Sequence, residues 1–225
     1  MDSREWALIA ALLGDAHPSP ELKEWLSSSE GRRELAAYRH TMHALQRAYG
    51  DAGTPSARAP VFYTAVRAPI GTVWLAATRD GLVRVSFRRR ETDFTAELRR
   101  RLRKEVVKSA ERLRPIAEQM KAYFGGTRSA FDVPVDLSRV TPFQRRVLLA
   151  TRAVRAGDLA SYADIARRIG QPRASRAVGQ ALGRNPIPIV IPCHRVVASD
   201  GSLGGYAGGL AMKKKLLAIE GALSA

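Results

Sequence analysis

The sequence predicts an α+β protein in which a small α/β domain precedes a domain built on a helix-turn-helix. Apolar runs with strand-like alternation flank Asp80-Gly81, a dipeptide typical of tight β-hairpins. Further along, two short helical segments are separated by Gly170 and Pro172, as in a helix-turn-helix. We therefore expect four parts: a helical extension over 1–50, a linker over 51–60, the α/β domain over 61–136 and the second domain over 137–225.

The sequence of the extension predicts helices with an apolar face, and this face must pack against another surface. Ser19-Pro20 is a typical helix start, and apolar residues follow at alternating spacings of three and four. The members of this stripe are Leu35, Tyr38, Met42, Leu45 and Tyr49. It could cover the following domain, pair with a second copy or bind an unknown partner; we expect the first, in a monomer. Residues 51–60 have the Pro, Gly, Ala and Ser content of a linker.

Pattern alone predicts the elements of the α/β domain. The expected strands are Val61–Val66, Thr72–Thr78, Leu82–Phe87 and a short one near Phe131–Val135. The expected helices lie between the third and fourth strands, at about 92–104 and 109–124. Strands followed by helices in this order indicate an α+β arrangement.

The helix-turn-helix is predicted from its helix caps. Thr141-Pro142 begins a first helix that runs to about Val154. Ser161 with Asp164 forms a capping box for a second helix over 162–169, and a third helix follows over 173–183.

The last of these helices has an unusual composition for a DNA reader. Most of its residues are small, and it offers few of the Asn, Gln and Arg side chains that distinguish bases in the major groove. Small residues let a helix approach a narrow groove, so we expect minor-groove binding with Arg176 reaching into the base stack. The alternative is a small-residue helix that packs against a neighbouring helix.

Cys193 is the only cysteine of the chain, and it stands in Ile191-Pro192-Cys193-His194-Arg195-Val196. A thiol with a pKa of about 8.5 needs a base or a cation nearby to act as a nucleophile at neutral pH. His194 is the candidate base. Adjacent side chains of an extended chain point to opposite faces, so we expect a turn or a bridging water between the two groups. The alternative is a buried cysteine beside a structural histidine.

Glu220 is the third polar member of this group. It falls in the final turn of a predicted helix over 210–220, before Gly221. A carboxylate there costs about 0.3 to 1 kcal/mol through the helix dipole, so another interaction should hold it. We expect it to orient His194; the alternative is a surface pair with Lys213 or Lys215. The same pattern predicts that the three consecutive lysines lie on the exposed side.

These motifs resemble one family. Residues 141–221 are similar to the C-terminal domain of the 6-O-alkylguanine-DNA alkyltransferases, or methylated-DNA:protein-cysteine methyltransferases. The matching residues are Pro192-Cys193-His194-Arg195-Val196, Arg176-Ala177-Val178-Gly179, Asn185-Pro186, Gly205-Tyr206-Ala207-Gly208-Gly209 and Glu220-Gly221. Residues 61–136 loosely resemble the smaller domain that precedes it. The resemblance implies an RNase H-like first domain and a winged helix-turn-helix-like second domain.

The resemblance also implies a reaction. Cys193 would attack the alkyl carbon on guanine O6 in duplex DNA, with O4-methylthymine as a further possible substrate. His194 would activate the thiol through a water molecule, Glu220 would orient the imidazole, and Asn185 would brace the network.

Two further roles concern the extruded base. Tyr162 would donate to the guanine as it leaves, and Arg176 would take the vacated place in the stack. The pocket would be completed by Pro188, Val196, Tyr206, Ala207 and Gly208, with Ala207 standing where some relatives have serine.

The product would be a thioether, which thiol exchange does not open, and the chain has no second cysteine and no nucleotide, flavin or metal motif. We therefore expect one transfer per molecule, without a cofactor. Some relatives bind structural zinc through cysteine and histidine in the first domain. This chain has no cysteine before Cys193, so we expect no metal site there.

Charge and composition agree with a nucleic-acid partner. The net charge is +16, with clusters at Arg88–Arg90 and Arg99–Arg101. Without an apolar span or a basic, apolar leader we expect a cytoplasmic protein and no membrane partner. Three other classes are weaker: a lesion sensor should lack Cys193, a transcription regulator needs a base-reading helix, and a cysteine hydrolase needs an oxyanion hole.

Overall fold

A computed structural model of the protein describes residues 27–29, 32–33, 59–87 and 90–222. The chain divides into two compact units, Met1–Ala48 and Tyr49–Ala225, and every element below belongs to the second. The predicted apolar stripe and nearly all of the predicted linker lie outside the described residues, so both stay predictions.

A four-stranded sheet opens the second unit. Its strands are β1 (Val61–Ala68), β2 (Gly71–Thr78), β3 (Gly81–Ser86) and β4 (Val106–Lys108). The order is β3-β2-β1-β4, with antiparallel hairpins joining β1, β2 and β3 and a parallel pair between β1 and β4. The sequence predicts β1 to β3 but not β4, since three residues carry too little alternation.

Two helices accompany the sheet, α1 (Glu91–Leu102) and α2 (Arg114–Phe124). Trp74 of β2 stacks on Phe94 of α1 with ring centroids 5.7 Å apart, and Tyr63 packs against both rings. The predicted start of α2 at residue 109 is wrong, because proline is tolerated only in the first turn of a helix and Pro115 is the second residue of α2.

The hairpin at Asp80-Gly81 forms as predicted. Gly81 opens β3 opposite Thr78 with a φ of +136°. A Cβ at this position would lie 2.6 Å from the carbonyl oxygen of Pro134, so only glycine fits.

The predicted strand at 131–135 is wrong. In this segment only Val135 makes a bridge, to Leu82 of β3. The carbonyls of Phe131 and Val133 instead accept from the Arg152 guanidinium, at 3.3 and 2.9 Å. An arginine thus takes the acceptors that a neighbouring strand would use.

The helix-turn-helix is present in the second half of the unit. Its helices are α3 (Pro142–Arg152), α4 (Tyr162–Arg168) and α5 (Ser175–Gly183), and α3 and α4 both pack against α5. The predicted capping box is confirmed: Ser161 Oγ accepts from the Asp164 amide at 3.0 Å, and Asp164 accepts from the Ser161 amide at 2.7 Å. The cap therefore sets where α4 begins.

A short parallel ladder connects this motif to the cysteine. Strand β5 (Ala160–Ser161) pairs with β6 (Val196–Val197). Strand β5 leads directly into Tyr162 at the start of α4, and β6 follows the 3₁₀ turn Cys193–Arg195. The ladder thereby fixes the cysteine turn against the first residue of α4.

The last helix, α6 (Leu210–Ile219), ends at Glu220, and Gly221 takes a φ of +70°. One prediction about it is wrong: Lys213 is fully buried, while Lys214 and Lys215 are exposed. The Lys213 ammonium donates to the carbonyls of Val196, at 2.5 Å, and Leu203. These acceptors lie in β6 and in the loop that follows it, outside the helix, so helical periodicity does not reveal them.

Several hydrogen bonds join the first half of the unit, which contains the sheet, α1 and α2, to the second half, which contains α3 to α6. The amide of Val85 in β3 donates to the carbonyl of Pro186 at 2.9 Å, and Arg139 donates to the carbonyls that end α1, those of Arg101 and Leu102. The sheet thus contacts the segment that leads to Cys193. Among the residues that the structure describes, no helix combines the length and apolarity needed to cross a membrane.

Candidate active site

Cys193 lies on a turn that the Asn185 side chain braces. Asn185 Oδ1 accepts from the Ile187 amide at 2.9 Å, while Nδ2 donates to the Ile191 carbonyl at 2.9 Å and to Cys193 Sγ at 3.2 Å. Between these points Ile189 is buried with a φ of +75°, a conformation costly for a β-branched residue. The amide side chain holds this strained loop and contacts the sulphur.

The environment of Cys193 keeps its sulphur protonated. The residue is 7% exposed, and burial raises the pKa of its thiol to about 11. The hydrogen bond from Asn185 and the charge of Lys213 lower the pKa but do not outweigh burial. At neutral pH the free protein therefore holds a thiol, and a base must remove its proton before it can attack.

His194 provides a buried base next to this thiol. Its side chain is fully buried, and Nε2 lies 2.8 Å from Glu220 Oε1. Burial lowers the pKa of His194, against the raising effect of Glu220, so the imidazole is neutral. Since Nε2 donates to the carboxylate, Nδ1 carries the lone pair, and Nδ1 is buried without a hydrogen bond to any described residue.

Glu220 is held as a carboxylate by several donors. The guanidinium of Arg195 binds it through Nε, at 2.8 Å to Oε2, and through Nη2, at 2.9 Å to Oε1. Tyr123 Oη donates to Oε1 at 2.7 Å. Burial alone would raise the pKa of Glu220, but the bonds from His194 and Arg195 prevail and lower it to about 2. These bonds explain how a carboxylate persists at the end of a helix.

Lys213 places a positive charge near the Cys193 sulphur. Burial lowers its pKa to about 8, and the nearby sulphur of Cys193 opposes this shift. Its bonds to the carbonyls of Val196 and Leu203 tie α6 to β6 and to the loop that follows β6. The lysine therefore influences both the charge near the sulphur and the shape of that loop.

Two tyrosines lie around this group. Tyr162, at the start of α4, is half-buried. Burial, and then the negative charge that Cys193 carries when it ionises, raise the pKa of its hydroxyl, which stays a donor. Its ring packs against Gly204, whose φ is +59°. Tyr206 stands edge-on to the His194 imidazole with ring centroids 6.4 Å apart, and its hydroxyl is buried without a hydrogen bond to any described residue.

Comparison with known proteins gives a consistent result. Residues 61–137 match the ribonuclease-like domain of 6-O-methylguanine DNA methyltransferase, and residues 142–222 match its DNA binding domain. A methylated-DNA--protein-cysteine methyltransferase of Methanosarcina acetivorans is 38% identical over 72% of this chain and 99% of its own length. The chain belongs to the 6-O-methylguanine DNA methyltransferase family.

Other relatives in this methyltransferase family agree. The constitutive methylated-DNA--protein-cysteine methyltransferase of Bacillus subtilis is 37% identical over 71% of this chain and 94% of its own length. The crystal structure of Mycobacterium tuberculosis OGT in complex with DNA superimposes with a TM-score of 0.60 and 37% identity, covering 71% of this chain and 92% of that one. The α+β fold expected from the sequence, with its ribonuclease-like and DNA-binding domains, is thus confirmed.

Four of the predicted site residues form two hydrogen-bonded pairs, and each pair has one member on the turn Cys193–Arg195. Asn185 contacts Cys193, and Glu220 contacts His194. Arg176 is exposed on α5. The predicted pocket residues differ in exposure: Pro188 and Val196 are buried, Tyr206 and Gly208 are half-buried, and Ala207 is exposed.

Three polar residues of the site were not predicted from the sequence. Arg195 stands in the cysteine hexapeptide and Lys213 in the lysine run, so each had a visible but uninterpreted signal. Tyr123 lies 97 residues before its partner Glu220, and nothing in its local sequence marks it. Across the part of the chain that the structure describes, no three His, Cys, Asp or Glu side chains form a group that could hold a metal ion.

Proposed function

We propose that this protein repairs alkylated DNA by moving an alkyl group from guanine O6 to Cys193 Sγ. The observation that carries the proposal is a lone cysteine beside a buried His194 and Glu220 pair, in a chain of the methylguanine methyltransferase family. The bond from O6 to the alkyl carbon breaks as the bond from sulphur to that carbon forms.

The proton of the thiol leaves through His194. A neutral imidazole with a free Nδ1 accepts it, directly or through one water, while Glu220 stabilises the imidazolium that results. The proton finally balances the negative charge of the departing guanine, so the products are guanine and S-alkylcysteine. Tyr162, which stays protonated, is the donor to the leaving base.

The buried sulphur requires that the base leave the duplex. Cys193 is only 7% exposed, so a stacked guanine cannot reach it. Helix α5, with its small residues, approaches the minor groove, and the exposed Arg176 fills the gap that the extruded base leaves. The net charge of +16 supports binding to the phosphate backbone.

The extruded guanine sits in a pocket formed by the cysteine turn and the loop after β6. Pro188, Val196, Tyr206, Ala207 and Gly208 complete its walls. The carbonyls of Cys193 and Val196 accept from the guanine amino group. The Val196 carbonyl already accepts from Lys213 and has a second lone pair for this purpose.

The reaction ends with the first transfer. The thioether on Cys193 is stable to thiols, and the chain has no second cysteine that could regenerate it. Because the acceptor must stay a reduced thiol, the proposal includes a cytoplasmic location.

Intact-protein mass spectrometry tests the proposal. The full chain is mixed with duplex DNA that carries one 6-O-methylguanine, and the protein is then weighed and mapped by peptides. We expect a gain of one methyl group on Cys193, saturating at one per protein molecule. The matched control is Cys193→Ser, which should bind the duplex and gain no methyl group.

Two results would contradict the proposal. An unchanged mass with tight binding to the lesion would make the protein a sensor of alkylated DNA. More than one lesion cleared per protein molecule would exclude a single, irreversible transfer.

A further inference from the structure

The ribonuclease-like half of the unit contributes one side chain to the carboxylate of the site. Tyr123 belongs to α2, is 1% exposed, and donates from Oη to Glu220 Oε1 at 2.7 Å. Its ring is fixed by contacts with Phe124 and Phe131, at centroid distances of 5.2 and 5.4 Å. The hydroxyl is therefore aimed at the carboxylate by packing within its own half.

That carboxylate oxygen is shared. Glu220 Oε1 accepts from Tyr123, from Arg195 and from His194, whereas Oε2 accepts from Arg195 alone among the described residues. Each added donor draws negative charge away from the bond to the imidazole. The strength with which Glu220 holds a proton on His194 thus depends on Tyr123.

We propose that Tyr123 is a positioning residue for the transfer reaction, which sets how readily His194 accepts the thiol proton by sharing Glu220 Oε1. The inference rests on the proposed function. It assigns to the ribonuclease-like half an indirect part, through Glu220 and His194, in the reaction of a cysteine on the other half.

The sign of the effect follows from the charges around the imidazole. Burial, Arg195 and Lys213 lower the pKa of His194, and Glu220 raises it; Cys193 and Tyr206 are its other titratable neighbours. Without the Tyr123 hydroxyl, Glu220 carries more of its charge towards the imidazole, so the pKa of His194 rises. A protonated imidazole cannot accept the thiol proton, and the reaction is lost at a higher pH than in the wild type.

The test is the pH dependence of single-turnover methyl transfer by the full chain, at saturating 6-O-methylguanine duplex. Tyr123→Phe removes one hydroxyl and keeps the ring. We expect the acid limb of the rate profile to move up by about 0.5 to 1 pH unit. The rate should fall about 3- to 10-fold below pH 6 and return to the wild-type value by pH 8.

Tyr63→Phe is the matched control. Tyr63 lies in the same half, is 7% exposed, and donates to a carboxylate, Glu91, at the same 2.7 Å, but Glu91 pairs with Lys108 and not with the site. This variant should leave the limb unmoved even if it lowers the melting temperature.

The outcomes separate the two proposals. An unmoved or lowered acid limb in Tyr123→Phe, with transfer by the wild type intact, would overturn the role of Tyr123 alone. Equal shifts of the acid limb in both tyrosine variants would also overturn the role of Tyr123, because the shift would then follow from a general loss of protein stability. No transfer by the wild type at any pH would refute the proposed function itself.

Discussion

At the level of single residues, the acceptor sulphur is subject to opposing influences. Burial raises the pKa of Cys193 to about 11, while Asn185 and Lys213 favour the thiolate. A thiol that is mostly protonated in the free protein reacts slowly with stray electrophiles. The proton is removed only where a base and a bound substrate are both present, which suits a protein that reacts once.

This balance predicts an unusual pH dependence for direct alkylation of Cys193. Because only the thiolate attacks, reaction with iodoacetamide should rise about tenfold per pH unit. In the folded protein this rise should continue beyond pH 10, whereas in the chain unfolded in urea it should level off near the ordinary thiol pKa of about 8.5. The single cysteine lets mass spectrometry follow both reactions directly.

The unfolded chain is the internal control, since it contains the same thiol without its surroundings. A plateau of the folded protein below pH 8 would mean that the site ionises the thiol in advance. His194 would then not be needed as a base.

At the level of elements, the loop between β6 and α6 is shaped to receive the ring of Tyr162. A Cβ on Gly204 would lie 2.7 Å from Tyr162 Oη and 3.2 Å from Cε2. The neighbouring Gly205 has no heavy atom within 4 Å of its Cβ position. Close approach of backbone to the tyrosine, not flexibility of the glycine-rich stretch, explains the glycine at 204.

We therefore expect Gly204→Ala to displace Tyr162 and slow methyl transfer at least about tenfold, since one misplaced donor costs that much or more. Gly205→Ala should transfer at close to the wild-type rate. Single-turnover rates of the two alanine variants check this directly.

Strain needs a separate control, because Gly204 has a φ of +59°, where alanine costs about 1 to 2 kcal/mol. Gly201→Ala carries a similar burden at a φ of +81° without any contact at its Cβ. A slow Gly201→Ala would show that strain in the loop, and not contact with Tyr162, limits the reaction.

At the level of the whole molecule, the sequence pattern predicts most elements but not the contacts between distant ones. The helix-turn-helix and the DG hairpin follow from caps and turn residues close in sequence. Cys193 and His194 could be predicted as site residues for the same reason, because they are adjacent in sequence. Lys213 was misassigned, because a helix position is judged exposed or buried from its neighbours, and its partners Val196 and Leu203 lie elsewhere.

The wrong prediction of a strand at residues 131–135 has the same cause. Its apolar spacing fits a strand, yet the partner of its carbonyls is Arg152 from a helix. Tyr123 is the extreme case, since its role depends wholly on a partner 97 residues away. Local pattern predicts elements, and tertiary contacts decide which polar groups meet.

Glu220 joins three distant parts of the unit, α2 through Tyr123, the cysteine turn through His194 and Arg195, and the end of α6. It is 2% exposed at the side chain, so Glu220→Gln leaves the buried Arg195 without a charged partner. We expect the variant to lose about 3 to 5 kcal/mol of the free energy of unfolding at pH 7. The exposed Glu118→Gln should lose little.

The pH dependence of this loss tests the electrostatic origin of the stabilisation by Glu220. Its folded pKa, about 2, lies below the ordinary 4.5, so its stabilising effect is complete above pH 4.5 and is lost as the pH falls towards 2. The difference in unfolding free energy between wild type and Glu220→Gln, measured by urea titration, should be constant from pH 7 to 5 and narrow steadily to pH 2.5. A difference that does not change over this range would show that Glu220 stabilises the unit through its shape and packing, with no contribution from its charge.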